Sequence, residues 1–343
     1  MFRRPRSPRA AVLAVGVVLA FAVPAQPASA SGPKASTSPP STTKSPPARP
    51  PATAHAWLQL ADALSVGHHQ VTVPHRVFHV VGGAWPYVRG QSVTLRAYLG
   101  RRLIGSGEFQ LKPAARSSYG EFRAAIASPV SGTVAVSVTH AATSGLARFG
   151  VQRSVSVLST GAGFGTKGTF IRLIQERLAT LHFYISQTGV YDQGTGLALD
   201  AYHRLLRWGT AQTLDARTIN ALLDGQGAFR VRFPNHGRHA EGNLSLQLLA
   251  LIDGSHVDAI YPISSGKPST PTILGDFHVY SKVAGYLPDG MFDSNFFIRG
   301  YAIHGYTPAP DYPASHGCVR LPIADASSVY AWLEIGDWVD TYY

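Results

Sequence analysis

Cys318 is the single cysteine of the chain, and His316 and His304 stand two and fourteen residues before it. One cysteine excludes an internal disulfide and any multi-cysteine zinc or iron–sulfur site. Outside the cell a lone thiol oxidises or cross-links without gaining a structural bond, so its presence there points to thiol chemistry. Free cysteine ionises near ~8.5, and a neighbouring imidazolium lowers that by several units, which would supply a thiolate at neutral pH. Gly317 has no Cβ, so a carbonyl substrate can approach the backbone N–H groups around Cys318, which are candidate oxyanion donors. Spacing alone leaves two other readings open. One is a small, buried, inert thiol beside incidental histidines; the other is a metal site of His304, His316 and Cys318, for which no further ligand stands nearby. It also leaves the base undecided, because a residue two positions from Cys318 on an extended segment is within reach. Arg320, two residues beyond the thiol, would face the same side of a strand and hold a substrate carboxylate, or form an ordinary exposed ion pair. Lys267 and Arg299 are further cations for an acidic peptide stem, or solvated surface charges.

The segments around these residues read as strands: Leu244–Leu249, Ala259–Ile263, Gly275–Tyr280 and Tyr301–Gly305, with a turn-rich run, Ser264–Thr272, between the second and third. Upstream the period changes. Phe170, Leu173, Ile174, Leu178 and Leu181 recur at helical steps; a second helix is expected from about Gly196 to Trp208 and a third over Ala216–Leu223, with Asp215 as its N-cap. Further upstream, Val93, Leu95, Ala97 and Leu99, and Val134, Val136 and Val138, alternate with polar or small residues, as half-buried strands of a small sandwich do. Its histidines (His55, His68, His69, His75, His79) have no Asp, Glu or Cys at ligand spacing and read as surface residues.

His304-Gly305 after a strand, followed by Ser315-His316-Gly317-Cys318-Val319-Arg320, resembles the signature of the L,D-transpeptidase (YkuD) catalytic domain. Ser264-Ser265-Gly266-Lys267-Pro268, Thr270-Pro271-Thr272 and Gly275-Asp276-Phe277 resemble that family's upstream run, so the resemblance covers residues 243–343. It implies Cys318 as nucleophile, His304 as base and later acid, the Gly305 carbonyl as the group orienting a histidine ring, and Ser315, His316 and Gly317 as the frame of the Cys loop. The implied partners are peptidoglycan stem peptides and glycan, with no cofactor. The implied reaction is 3→3 cross-linking through a Cys thioester, open to acylation by carbapenems. With water as acceptor the same residues would make an L,D-carboxypeptidase; a non-catalytic wall-binding protein is the reading from another class. Ile174-Gln175-Glu176-Arg177-Leu178, Gly189-Val190-Tyr191, Thr195, Tyr202, Asp215 and Thr218–Leu222 resemble a three-helix peptidoglycan-binding-like domain.

The fold class expected is therefore multidomain: an all-β sandwich-like (Ig-like) N-terminal domain at 56–159, a small three-helix domain at 160–230 and a mainly-β catalytic domain at 243–343. Ahead of them, four arginines precede fourteen uncharged residues, Ala10–Val23, and the triplet Ala28-Ser29-Ala30, the layout of a signal peptide over 1–30. Fourteen residues fall short of the ~20 needed to span hydrocarbon, so no stable membrane span is expected after cleavage. Residues 31–55 are rich in Pro, Ser and Thr and read as an extended tether of a secreted, wall-associated protein. The formal charge of +11 misleads: seven Arg or Lys lie in the first 61 residues, which hold no acid, leaving +4 over 62–343. That is too mild for a nucleic-acid partner.

Overall fold

A computed structural model describes residues 50–115 and 118–343. The expected signal peptide, and the tether as far as residue 49, lie outside the described residues. The remainder of the expected tether is not free chain: Ala52 bridges to Leu146, and the first strand begins at His55.

The N-terminal part is a two-sheet sandwich. One sheet has the order β1 (His55–Ala61), β4 (Phe78–Trp85), β8 (Gly120–Ile126), β7 (Lys112–Pro113). The other runs β2 (Leu64–Val66), β3 (His69–Thr72), β10 (Phe149–Val157), β9 (Gly132–His140), β5 (Ser92–Leu99), β6 (Arg102–Gln110). Period-two alternation turns Leu58, Leu60, Phe78 and Val80 of the first sheet onto Val93, Leu95, Val134 and Val136 of the second.

Three helices follow, α1 (Thr169–Thr180), α2 (Gln193–Leu205) and α3 (Ala216–Leu223). Asp215 caps α3 by accepting from the Thr218 amide, and Asp192 caps α2 in the same way through Thr195. The second cap starts α2 three residues ahead of the expected Gly196.

The C-terminal part stacks two sheets. The first is β13 (His256–Pro262), β12 (Leu248–Asp253), β11 (Arg238–Asn243), β19 (Trp338–Tyr342), β14 (Gly275–His278); the second is β15 (Ser281–Tyr286), β16 (Phe292–Ile298), β17 (Tyr301–Gly305), β18 (Val319–Leu321). Leu249, Leu251 and Val339 meet Phe297, Ile303, Val319 and Val329, the last from α4 (Ile323–Trp332). The expected strand Leu244–Leu249 is instead a turn followed by β12. Asn243 Oδ1 accepts from the Leu246 amide and Gln247 takes a left-handed φ of 52°, so the chain reverses there.

The helices share their core with the parts of the chain on either side. Their core is continuous with Leu64, Val66 and Val71 of the sandwich and with Leu248, Ala250 and Ile252 of β12. Strand β12 is thus buried on both faces, which is why its sequence is continuously apolar rather than alternating. The segment after α1 extends the edge of β13, Ile260 N donating to His182 O and Tyr184 N to Ile260 O. Arg76 of the sandwich pairs with Asp224 beyond α3 at 2.8 Å. Among the described residues no helix is long and apolar enough to cross a membrane.

Candidate active site

Strands β17 and β18 run parallel, with Ile303 opposite Val319, His304 opposite Arg320 and Gly305 opposite Leu321. Opposed residues of a parallel pair share a face, and alternate residues of a strand share a face. Ile303, Val319 and Leu321 therefore enter the core together, while His304, Arg320 and Cys318 project from the opposite side. Pro322 stops β18 and opens α4 behind the sheet.

The loop ahead of Cys318 is held by its own groups. Ser315, with no exposed surface, donates from Oγ to the Cys318 carbonyl at 2.6 Å and accepts from the Gly317 amide at 3.1 Å. Thr272 Oγ1 reaches the same carbonyl at 3.5 Å. The turn-rich run closes the other side: Ser264 and Arg320 exchange backbone hydrogen bonds of 2.9 and 3.0 Å, and Ser265 O accepts from the Ala314 and Ser315 amides. Gly266 is required there, since a Cβ would lie 2.4 Å from Thr270 O and from Thr272 N. Removing the Ser315 hydroxyl should therefore loosen the loop that holds Cys318. Ser315→Ala is expected to lower the unfolding free energy by about 1–3 kcal/mol in urea melts and to change the rate at which Cys318 is alkylated by iodoacetamide, with Ser315→Thr losing less.

The two histidines part company. His304 is 2% exposed, and Nδ1–H donates to its neighbour's carbonyl, Gly305 O, at 2.9 Å, which leaves Nε2 as the acceptor. Burial drives its pKa down to about 4; the Gly305 hydrogen bond opposes this and the Arg320 charge adds to it. His316 is exposed, and its Nε2 accepts from Lys267 Nζ at 3.0 Å. Lys267 is thereby tied to the Cys loop through both its side chain and its amide, which donates to Ser315 O. Among the described residues no group of three His, Cys, Asp or Glu side chains is placed to hold a metal ion.

Burial also pushes the Cys318 thiol up, against a backbone hydrogen bond with Ala302 and the Arg320 charge. The expected thiolate–imidazolium pair is not the resting state, because burial disfavours both charges. The resting pair is a thiol beside a neutral imidazole. Arg320 lies 4.1 Å above the Tyr306 ring and has no ion pair among the described residues, so its charge is open to an incoming carboxylate. Arg299 sits in the exposed β16–β17 turn at φ 53°, where its carbonyl accepts from Tyr280 OH. It is not brought together with His304 and Cys318.

Three contributors escape the sequence reading. Tyr306 stands edge-on to His304, ring centroids 5.8 Å apart. Asp289, in the β15–β16 turn, is near enough to raise the pKa of both His304 and Cys318. Arg204 reaches in from α2: 7% exposed and paired with Asp200, it donates to Gln247 O at 2.9 Å and Ile263 O at 3.3 Å. Gln247 in turn holds Ser265, donating to its Oγ at 2.7 Å and accepting from its amide at 2.8 Å. None of the three carries a motif; only the helical i, i+4 spacing of Asp200 and Arg204 is visible in the sequence. Arg204→Lys keeps the charge but not the fork that spans a carboxylate and two carbonyls. It is expected to cost about 1–2 kcal/mol in chemical denaturation.

Residues 237–340 match the YkuD family, the L,D-transpeptidase catalytic domain. The expected start at Asn243 falls on the last residue of β11, the first strand of the matched segment. Among solved structures, the chain is similar to an L,D-transpeptidase from Xylanimonas cellulosilytica at 28% identity and a TM-score of 0.50, over 54% of this chain and 98% of that one. That likeness extends beyond the 237–340 segment. An L,D-transpeptidase from Stackebrandtia nassauensis is 19% identical over 54% of this chain and 96% of that one, with a TM-score of 0.36. The catalytic domain of an Enterococcus faecium L,D-transpeptidase is 25% identical over 31% and 98%, with a TM-score of 0.28. No curated protein matches the chain.

Proposed function

We propose that the C-terminal domain is an extracytoplasmic acyltransferase that cross-links peptidoglycan stem peptides 3→3 through a thioester on Cys318. The observation that carries this reading is the common face of Cys318, His304 and Arg320 on a parallel strand pair within a segment matching the L,D-transpeptidase catalytic domain. His304 Nε2 takes the thiol proton as sulfur attacks the carbonyl of the third, L-centred stem residue. The Gly317 amide is already spent on Ser315, whereas among the described residues the Cys318 amide donates to no other group and serves the oxyanion. The carbon–nitrogen bond to D-Ala breaks, the departing amine takes the proton from His304, and a thioester is left. An amine of a second stem then attacks; its surplus proton passes through His304 to the leaving sulfur, which restores the thiol. Arg320 holds a stem carboxylate, and His316 with Lys267 frames the Cys loop. The N-terminal signal and tether would deliver the domains to the wall, where the helical unit meets glycan.

The test is incubation of the purified protein with a disaccharide tetrapeptide, followed by mass spectrometry. A thioester adduct on the Cys318 peptide, D-Ala release and a dimer joined at third residues are expected. D-Ala release without dimer would make the protein an L,D-carboxypeptidase, and sacculus binding without either product would leave a wall-binding protein. A carbapenem adduct on the Cys318 peptide is the expected companion result.

A further inference from the structure

Between α2 and the loop that follows β17 lies a cavity of about 560 Å³. Gln193 and Leu197 of α2 form one wall; Tyr306, Pro308, Ile323 and Asp325 form the other. A second cavity of about 350 Å³ shares Gln193, Leu197 and Ala309 with it, so the two make one groove along α2 towards Thr210 and Gln212. The groove exists only because the helical unit is packed on the catalytic domain. Its near end is marked by Tyr306, whose ring contacts both the His304 imidazole and the Arg320 guanidinium.

Asp325 is 8% exposed, and among the described residues its carboxylate accepts no hydrogen bond and has no ion pair. Every other carboxylate on that reach of the molecule is better provided for: Asp200 has Arg204, and Asp311 is exposed. A buried carboxylate without a partner is costly, and burial pushes Asp325 up to about 7. Its position in the first turn of α4 offsets part of that cost. An unpaired carboxylate lining a cavity of this size, walled by Leu197, Pro308 and Ile323, suits an aliphatic chain that ends in an ammonium group. The second half-reaction proposed above needs an amine-bearing acceptor, and this inference rests on that reading for the acceptor's identity.

We infer that the α2–α4 cavity docks the acceptor peptide, its side-chain ammonium pairing with Asp325 on entry and leaving its proton on that carboxylate before the neutral amine attacks the thioester, so that Asp325 and the helical unit set the choice of acceptor. The glutamine amides of Gln193 and Gln212 supply hydrogen bonds for the peptide groups that follow.

Binding is tested without chemistry, by calorimetric titration of the full-length Cys318→Ala protein. The ligands are a stem tripeptide with a free side-chain amine and the same peptide acetylated on that amine. The free-amine peptide should bind at least tenfold tighter, and Asp325→Asn should remove the difference. Leu197→Trp, which fills the cavity from the helical wall, should weaken binding by a similar factor. Equal affinity for the two peptides, or Asp325→Asn and Leu197→Trp proteins both within twofold of the parent, overturns the inference. In the Cys318 protein, Asp325→Asn should lower kcat/KM for the free-amine acceptor at least tenfold. Absence of acylation in that protein sinks the transpeptidation reading alone, because the calorimetric comparison stands without it.

Discussion

His304→Gln is expected to slow formation of the Cys318 thioester by about 10³-fold, whereas His316→Gln should cost less than tenfold. The asymmetry follows from where the rings point. His304 shares a face with Cys318 and offers a free Nε2, while His316 is exposed and engaged with Lys267. Because the resting pair is neutral, the thiol proton must leave during attack, so the base acts in the transition state itself, where general-base catalysis contributes ~10²–10⁴-fold. The pH profile tests this account. Acylation should be insensitive to histidine protonation from about pH 8 down to about pH 5 and fall below that, as His304 with its pKa of about 4 becomes charged. The same shift bears on stability. The unfolded histidine titrates near ~6.5, so between that value and about 4 the unfolded chain binds more protons than the folded one. Stability is complete above the unfolded value and is lost as pH falls through this window, by up to roughly 3 kcal/mol. His304→Gln removes that loss, so the variant should be the slower enzyme and the more acid-resistant fold. Stopped acylation reactions read by intact mass, and melting curves between pH 4 and 8, measure both. A His316→Gln variant as slow as His304→Gln would reassign the base.

Strand β17 was legible as Tyr301–Gly305, whereas β18 was not read as a strand and only the two-residue spacing of Cys318 and Arg320 put that pair on one side. Ile303, Val319 and Leu321 face the core between the sheets and His304, Cys318 and Arg320 the other side. Strand β11 was not legible either, and the reason is physical. Its buried residues include His239 and Glu241, both without exposed surface, and they are accommodated by hydrogen bonds rather than by apolar packing. Glu241 accepts from Tyr342 OH at 2.7 Å and from the Arg232 and Phe233 amides. A period-two hydrophobic reading cannot register a strand of that kind. The strand expected at Leu244–Leu249 lies instead at Leu248–Asp253, and the covering of its second face by helices depends on partners distant in sequence. The same holds for Arg204, whose carbonyl partners in the catalytic domain leave no trace in local sequence. Backbone acceptors are common to every residue, so their capture is a property of the fold.

Gly317→Ala is expected to slow acylation by about 10²-fold and to lower stability by about 1–3 kcal/mol. Gly317 has φ 119°, a conformation that L side chains rarely adopt and that costs a Cβ-bearing residue on that order. The added methyl would lie 2.4 Å from Cε1 and 2.9 Å from Cδ1 of Tyr301. Tyr301 cannot retreat freely, since it opens β17 and is paired with Ile298. The loop must therefore move, and with it the Ser315 hydrogen bonds that fix the Gly317 amide and the Cys318 carbonyl. A nucleophile displaced by about 1 Å loses rate on the order of 10²-fold even when its base is intact. Two causes are superimposed here, and a double variant separates them. Gly317→Ala with Tyr301→Ala relieves the collision but leaves the backbone strain, so it should regain part of the stability while acylation stays slow. Urea melts and acylation rates of both single variants and the double one decide the matter. An alanine at 317 acylating at the parent rate would mean that Cys318 is held from the β18 side alone, by Ser264 and the strand register, and that the loop ahead of it is dispensable.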